Sequence, residues 1–116
     1  MRVSSLVLYA VDVSRTAEFY RRCLGIEFTE VGRGRVTAQV DGVRLAVVPM
    51  TASGATAQTG DPGTAMVGFD VPDISDAVEQ AGEAGGAVLR QPERLDWGIR
   101  GVVSDPDGRV VEFVQR

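Results

Sequence analysis

Short apolar runs and one amphipathic stretch follow each other in a regular order in the first half of the chain. Ser4–Val11 is rich in β-branched and aromatic residues, which predicts a strand. In Arg15–Leu24 the apolar residues recur at helical spacing and predict a helix that faces a sheet. Ser14 is predicted to cap this helix, and Gly25 is predicted to end it. Three further apolar runs predict strands at Ile26–Val31, Val36–Val40 and Val43–Val48, with an Asp-Gly hairpin turn before the last.

The same order of elements returns in the second half. Met66–Val71 predicts a strand, Asp73 is predicted to cap the helix that follows, and Gly85-Gly86 is predicted to stop that helix. Three runs then predict strands at Ala87–Leu89, Ile99–Ser104 and Val110–Val114. Between the halves, residues 51–64 are rich in Thr, Ala, Gly and Ser, which is typical of a linker. We therefore expect one domain over residues 1–116, with one module at 1–50 and a second at 65–116.

The spacing of the landmark residues indicates an internal duplication. Asp12 and Gly25 are thirteen positions apart, and so are Asp73 and Gly86. The second half carries five additional residues around positions 90–98, which predict an inserted polar loop that contains Trp97. A unit of this kind leaves one sheet face open and needs a second unit to cover it. The fold class expected is α+β, with two βαβββ modules that form a cupped mixed sheet.

Composition narrows the possible partners of the chain. The 116 residues carry a net charge of −4, whereas proteins that bind a phosphate backbone present clustered Lys and Arg, so we expect no nucleic-acid partner. No apolar run approaches the roughly 20 residues of a membrane span, and the first residues do not resemble an export signal. We therefore expect a soluble, cytoplasmic protein. Histidine is absent, and Cys23, the one cysteine, is expected to be a buried apolar residue.

Two segments of the chain carry the features of a known family. Residues 7–26 contain a strand that ends at Asp12, then Phe19-Tyr20 and Leu24-Gly25. Residues 97–113 contain the turn Asp105-Pro106-Asp107-Gly108 and a closing strand. In these features the chain resembles the vicinal oxygen chelate superfamily, which includes glyoxalase I, bleomycin-resistance proteins and extradiol dioxygenases. The resemblance implies paired βαβββ modules, a homodimer, and a divalent metal held in the cup between modules.

The resemblance also implies where the metal ligands would stand in this sequence. The corresponding positions are Ser5, Ala46, Met66 and Glu112. Such metals take three or four imidazole, thiolate or carboxylate ligands, and among these four residues only Glu112 is of that kind. We therefore expect no metal and no other cofactor.

What remains resembles the bleomycin-resistance branch, whose members bind antibiotics in aromatic-lined grooves. The function expected is non-catalytic binding of a small aromatic or apolar compound, with antibiotic sequestration as the biological role. Aromatic side chains bind flat ligands by stacking, and polar groups orient them. The candidate ligand-binding residues are Tyr9, Phe28, Ala46, Met66, Phe69, Trp97, Arg100, Glu112 and Phe113.

Several alternatives stay open at this point. The chain can be a lyase, isomerase or dioxygenase of the glyoxalase type, with Glu112 and unidentified residues as metal ligands. It can be a metal-free enzyme that uses Glu112 as a general base. It can also be a domain without a ligand that acts through its dimer surface. Trp97 has an equally simple structural interpretation, as an anchor for its loop, and Arg100 as one partner of a surface ion pair.

Overall fold

The computed structural model describes residues 1–50 and 66–116, and the linker predicted at 51–64 lies outside these residues. Within them the chain forms eight strands and two helices. Their order is β1 (Ser5–Ala10), α1 (Val13–Leu24), β2 (Thr29–Gly32), β3 (Arg35–Val40), β4 (Val43–Pro49), β5 (Val67–Asp70), α2 (Ile74–Glu83), β6 (Ala87–Leu95), β7 (Gly98–Ser104) and β8 (Val110–Gln115). The predicted sequence of elements, βαβββ followed by βαβββ, is confirmed.

The strands form two mixed sheets of four strands each. The strand orders are β1-β4-β3-β2 and β5-β8-β7-β6. In each sheet the first and last strands of a unit pair in parallel, β1 with β4 and β5 with β8, while the other pairs are antiparallel. A parallel pair needs a long crossover connection, and here the helix of each unit supplies it. The expected α+β fold of two βαβββ units is therefore confirmed.

Aspartates begin both helices. The Asp12 side chain accepts a hydrogen bond from the Arg15 backbone N–H at 3.1 Å, and Asp73 caps α2 in the same way. The prediction that Ser14 caps the first helix is wrong, because α1 already begins at Val13 and the capping residue lies just before the first helical residue. Gly25 ends α1 with φ of 69°, as predicted, since glycine adopts this left-handed conformation without a steric penalty.

The two units share one hydrophobic core on the side of the sheets where the helices lie. Helix α1 packs against α2, and the Tyr20 ring lies 6.2 Å from the Phe69 ring of the second unit. Phe19 meets Tyr20 edge to face at 5.0 Å between ring centroids. Buried side chains of both units therefore belong to one core cluster.

The five additional residues of the second unit lengthen a hairpin and do not form the predicted loop. Strand β6 continues to Leu95, and a two-residue turn at Asp96-Trp97 leads into β7. The pairing of β6 with β7 shifts register twice, between Val88 and Glu93. The segment is polar because β6 is an edge strand, where outward side chains and a proline such as Pro92 are tolerated.

Candidate functional site

Each sheet has one face that packs on its helix and an opposite face, which we call the open face. Along β1, Leu8 and Ala10 are buried against the helix side, whereas Val7 and Tyr9 on the open face are 41% and 38% exposed. Successive side chains of a strand point to opposite faces, and this alternation explains the pattern. The exposed apolar side chains on the open face of the first sheet make it a natural surface for a ligand or a partner.

Three of the four positions that the family resemblance singled out lie on these open faces. Ser5 is two residues before Val7 on β1, and Ala46 on β4 is directly opposite Val7 in the parallel pairing. Glu112 on β8 is directly opposite Gly68 of β5, between two buried neighbours in sequence that face the helix side. Met66 immediately precedes β5 and is 48% exposed.

Glu112 and Arg100, both predicted site residues, are brought together by the structure. The Arg100 Nε–H donates a hydrogen bond to Glu112 Oε2 across the neighbouring strands β7 and β8. Both side chains are partly withdrawn from solvent, with exposed fractions of 31% for Arg100 and 22% for Glu112. The other carboxylate oxygen, Oε1, lies above Gly68, where a Cβ would stand 3.2 Å from it. The site therefore presents a carboxylate that is already neutralised by a guanidinium.

Trp97 stands at the tip of the β6–β7 hairpin and is half-exposed. The Arg116 guanidinium carbon lies 5.6 Å from the centre of its ring, a cation–π contact. Arg116 Nε also lies 3.6 Å from Asp70 Oδ1, so its guanidinium contacts both the ring and a carboxylate. The structure thus leaves Trp97 accessible on one side and supports it on the other.

The phenylalanines predicted to line the groove lie on the helix side of the sheets, in or against the core. Phe113 is fully buried in the core, and Phe69 packs its ring near Tyr20 on the helix side. Phe28 precedes β2 and packs against the core. Phe113 follows Glu112 on one strand, so the two side chains point to opposite faces and do not line one groove. Phe69 and Phe113 are therefore corrected to core residues.

Comparison with known proteins identifies the family of this chain. The model of the Glyoxalase/Bleomycin resistance protein/Dioxygenase superfamily matches residues 2–113. The chain belongs to this superfamily. No curated protein sequence gives a significant match.

Several solved structures have the same fold as this chain. A glyoxalase-related enzyme from Fulvimarina pelagi is 25% identical, with a TM-score of 0.84 over 100% of this chain and 88% of its own. A superfamily enzyme from Burkholderia phytofirmans PsJN is 17% identical, with a TM-score of 0.81 over 99% of this chain and 98% of its own. An antibiotic-binding protein from a Streptomyces species is 22% identical, with a TM-score of 0.72 over 99% and 95%. The last two show similarity of fold alone.

The residues at the superfamily's metal-ligand positions do not fit a divalent metal. Serine offers a neutral hydroxyl, methionine a thioether that prefers soft ions, and alanine no donor, which leaves Glu112 alone. Within residues 1–50 and 66–116, no group of three or more Asp, Glu, Cys or His side chains is arranged to hold a metal ion. The one carboxylate at a ligand position is already paired with Arg100. The four positions therefore supply one carboxylate, whereas such a metal takes three or four ligands.

A second concavity lies on the helix side, between the end of α1 and the start of α2. This cavity of about 390 Å³ is lined in part by Cys23, Ile26, Phe69 and Ala77. Burial raises the pKa of the Cys23 thiol to about 12, so the thiol is protonated at neutral pH and unreactive. The expectation that Cys23 serves as a buried apolar residue agrees with this environment.

In the described part of the chain, neither helix is long and apolar enough to cross a membrane.

Sequence reasoning missed one buried polar cluster, centred on Asp105. Its carboxylate accepts hydrogen bonds from the Tyr20 hydroxyl at 2.8 Å and from the backbone N–H groups of Asp107 and Arg109 at 3.0 Å each. The Arg109 guanidinium also contacts this carboxylate and the Tyr9 carbonyl of the first unit. Burial of Tyr20 and the neighbouring Asp105 carboxylate raise the pKa of the Tyr20 phenol. The cluster joins the two units, and the sequence showed only an Asp-Pro-Asp-Gly turn there.

Proposed function

We propose that this protein binds a small aromatic or apolar compound on its open faces without transforming it. The observation that carries this proposal is the combination of residues on those faces. The metal-ligand positions hold Ser5, Ala46 and Met66, which are weak ligands or none, while apolar side chains beside them stay exposed, Tyr9 among them. A surface of this composition holds a flat guest by contact area and stacking.

The biological role that fits such binding is sequestration of an antibiotic or another toxic metabolite. A Streptomyces protein of the same fold is described as antibiotic-binding, and this supports the choice of role. We further propose a homodimer in the cytoplasm, in which a second copy covers the open faces and completes the cup. Covering the exposed Val7 and Tyr9 side chains would remove apolar surface from water and favour that association.

The test uses thermal denaturation with a panel of planar aromatic compounds that includes an anthracycline and an anthraquinone. A bound compound at ten times its dissociation constant should raise the melting temperature by about 6 °C. The shift should shrink in Trp97→Ala, because that variant lacks the half-exposed ring, and persist in Val11→Ala, which removes an exposed apolar side chain outside the sheets. Equal shifts in the parent and Trp97→Ala would remove Trp97 from the site.

A second candidate function is metal-dependent catalysis of the glyoxalase type. Two observations favour it: Glu112 occupies one metal-ligand position, and the 25% identical Fulvimarina pelagi protein is described as a glyoxalase-related enzyme. Metal analysis of protein purified without chelators separates the two candidates. One tightly held zinc, iron, nickel or manganese ion per chain would favour the enzyme and contradict binding without turnover.

A further inference from the structure

The Glu112 carboxylate has one oxygen bound within the protein and one that faces an opening. Arg100 Nε–H is hydrogen-bonded to Oε2. Among residues 1–50 and 66–116, no donor lies within hydrogen-bond distance of Oε1. This oxygen therefore remains available to a donor that approaches from the open face.

The opening exists because β5 has a glycine directly opposite Glu112. A Cβ at position 68 would stand 3.2 Å from Oε1, closer than ordinary van der Waals contact. Gly68 does not have a positive φ, so the backbone itself does not require glycine there. What glycine provides at this position is space beside the carboxylate oxygen.

The charges around this space select the kind of group that fits. A cationic donor would meet the Arg100 guanidinium, which already pairs with the carboxylate, and an anionic group would be repelled by Glu112. A neutral O–H group avoids both penalties and donates a charge-assisted hydrogen bond to Oε1. The aromatic body of the ligand follows from the proposed function, in which the open face that exposes Tyr9 holds a flat guest.

We propose that the surface over Gly68 on the open face, beside Glu112 Oε1, is a hydroxyl-recognition site, and that the natural ligand is a neutral hydroxylated aromatic compound of the phenol or naphthol type. This inference rests on the proposed binding function and specifies its ligand class. Glu112 acts as the acceptor, Arg100 holds the carboxylate in place, and Gly68 leaves Oε1 uncovered.

The test compares two probes of nearly the same shape, 2-naphthol and 2-methoxynaphthalene, by isothermal titration calorimetry with the full chain. The methoxy compound has the aromatic rings and the oxygen but no O–H donor. A hydrogen bond to a carboxylate should make 2-naphthol bind about tenfold more tightly. In Glu112→Gln, which replaces the charged acceptor by a neutral amide, this preference should fall to about threefold or less.

Gly68→Ala tests the space itself, with Gly82→Ala as the matched control. The alanine methyl at position 68 stands against Oε1, so the preference for 2-naphthol should fall below about threefold while 2-methoxynaphthalene binds within about twofold of the parent. Gly82 lies in α2 with no atom within 4 Å of its would-be Cβ, so Gly82→Ala should keep the full preference.

The outcomes separate this inference from the proposed function. Equal binding of the two probes to the parent, or an undiminished preference in Gly68→Ala, would overturn the hydroxyl site and leave aromatic binding intact. Failure of the parent to bind either probe would overturn the hydroxyl site, whereas the proposed function fails only if the whole panel of planar aromatic compounds leaves the melting temperature unchanged.

Discussion

Asp105 shows how one buried carboxylate ties two structural units together. It is 2% exposed and accepts hydrogen bonds from its own hairpin, from the Arg109 guanidinium and from Tyr20 of helix α1. A buried carboxylate costs free energy unless its oxygens are hydrogen-bonded, and here each oxygen has more than one donor. The Asp-Pro-Asp-Gly turn is therefore part of the junction between units as well as a connection between strands.

Removing one of these donors should destabilise the protein. In Tyr20→Phe the ring keeps its packing, but Asp105 loses the phenolic hydrogen bond, so we expect the free energy of unfolding at pH 7 to fall by about 2 kcal/mol. The control Tyr9→Phe alters a partly exposed tyrosine, so it should change the free energy of unfolding by less than about 0.5 kcal/mol. Urea unfolding at 25 °C measures both, and a Tyr20→Phe value as small as the control would contradict this role.

The raised pKa of Tyr20 also predicts how the stability difference between the parent and Tyr20→Phe changes with pH. Because the pKa of Tyr20 is raised in the folded state, folding holds its proton more tightly than the unfolded chain does. The contribution of the Tyr20 hydroxyl to the free energy of unfolding is complete below the tyrosine pKa of the unfolded chain, about 10, and is lost as the pH rises above that value. The stability difference between the parent and Tyr20→Phe should therefore shrink above that pH.

At the scale of elements, turns and edges explain where strands begin and end. Asp41 and Gly42 both have positive φ, 50° and 80°, which is the geometry of a type I′ hairpin turn and follows from the Asp-Gly pair. The β6–β7 hairpin shows the opposite case. Its polar composition predicted a loop, but pairing with β7 extends β6 to Leu95, since an edge strand needs an apolar pattern on one face only.

Two glycines near the end of α2 should respond to the same substitution in opposite ways. A Cβ on Gly86 would lie 2.2 Å from the Ser104 carbonyl oxygen and 2.7 Å from the Phe19 ring, so Gly86→Ala should lower the free energy of unfolding by about 3 kcal/mol. Gly82→Ala adds a methyl in open space within the helix and should raise it by about 0.5–1 kcal/mol. Urea midpoints at equal m-values measure both changes, and similar effects at the two positions would refute this account.

At the scale of the whole molecule, the shared core should make the two units unfold together. Buried side chains from both units form one cluster, and α1 packs on α2. We expect the urea transitions followed by Trp97 fluorescence, which reports the second unit, and by far-ultraviolet circular dichroism, which reports both units, to coincide. The destabilised Gly86→Ala variant should keep this coincidence. Separate midpoints in the parent would mean that the units fold independently.

The sequence by itself determined the elements, their order, the two βαβββ units and the superfamily. Apolar periodicity, capping aspartates and turn glycines act over a few neighbouring residues, so they can be read without knowledge of the fold. It also identified Trp97, Arg100 and Glu112 as candidates for the open faces. Arg100 and Glu112 are charged residues within otherwise apolar strands, and Trp97 is a large aromatic residue in a polar segment, so each differs from its sequence neighbours.

The tertiary structure alone decided which face each side chain occupies and which distant residues meet. Phe113 and Glu112 are neighbours on one strand, and only the position of the helices shows that Phe113 points into the core and Glu112 away from it. The hydrogen bond of Tyr20 to Asp105 joins residues 85 positions apart, and the close approach of Glu112 to Gly68 joins residues 44 positions apart. No local sequence pattern predicts either. Local dihedral preferences fix the elements, whereas burial on one face is fixed by what covers that face.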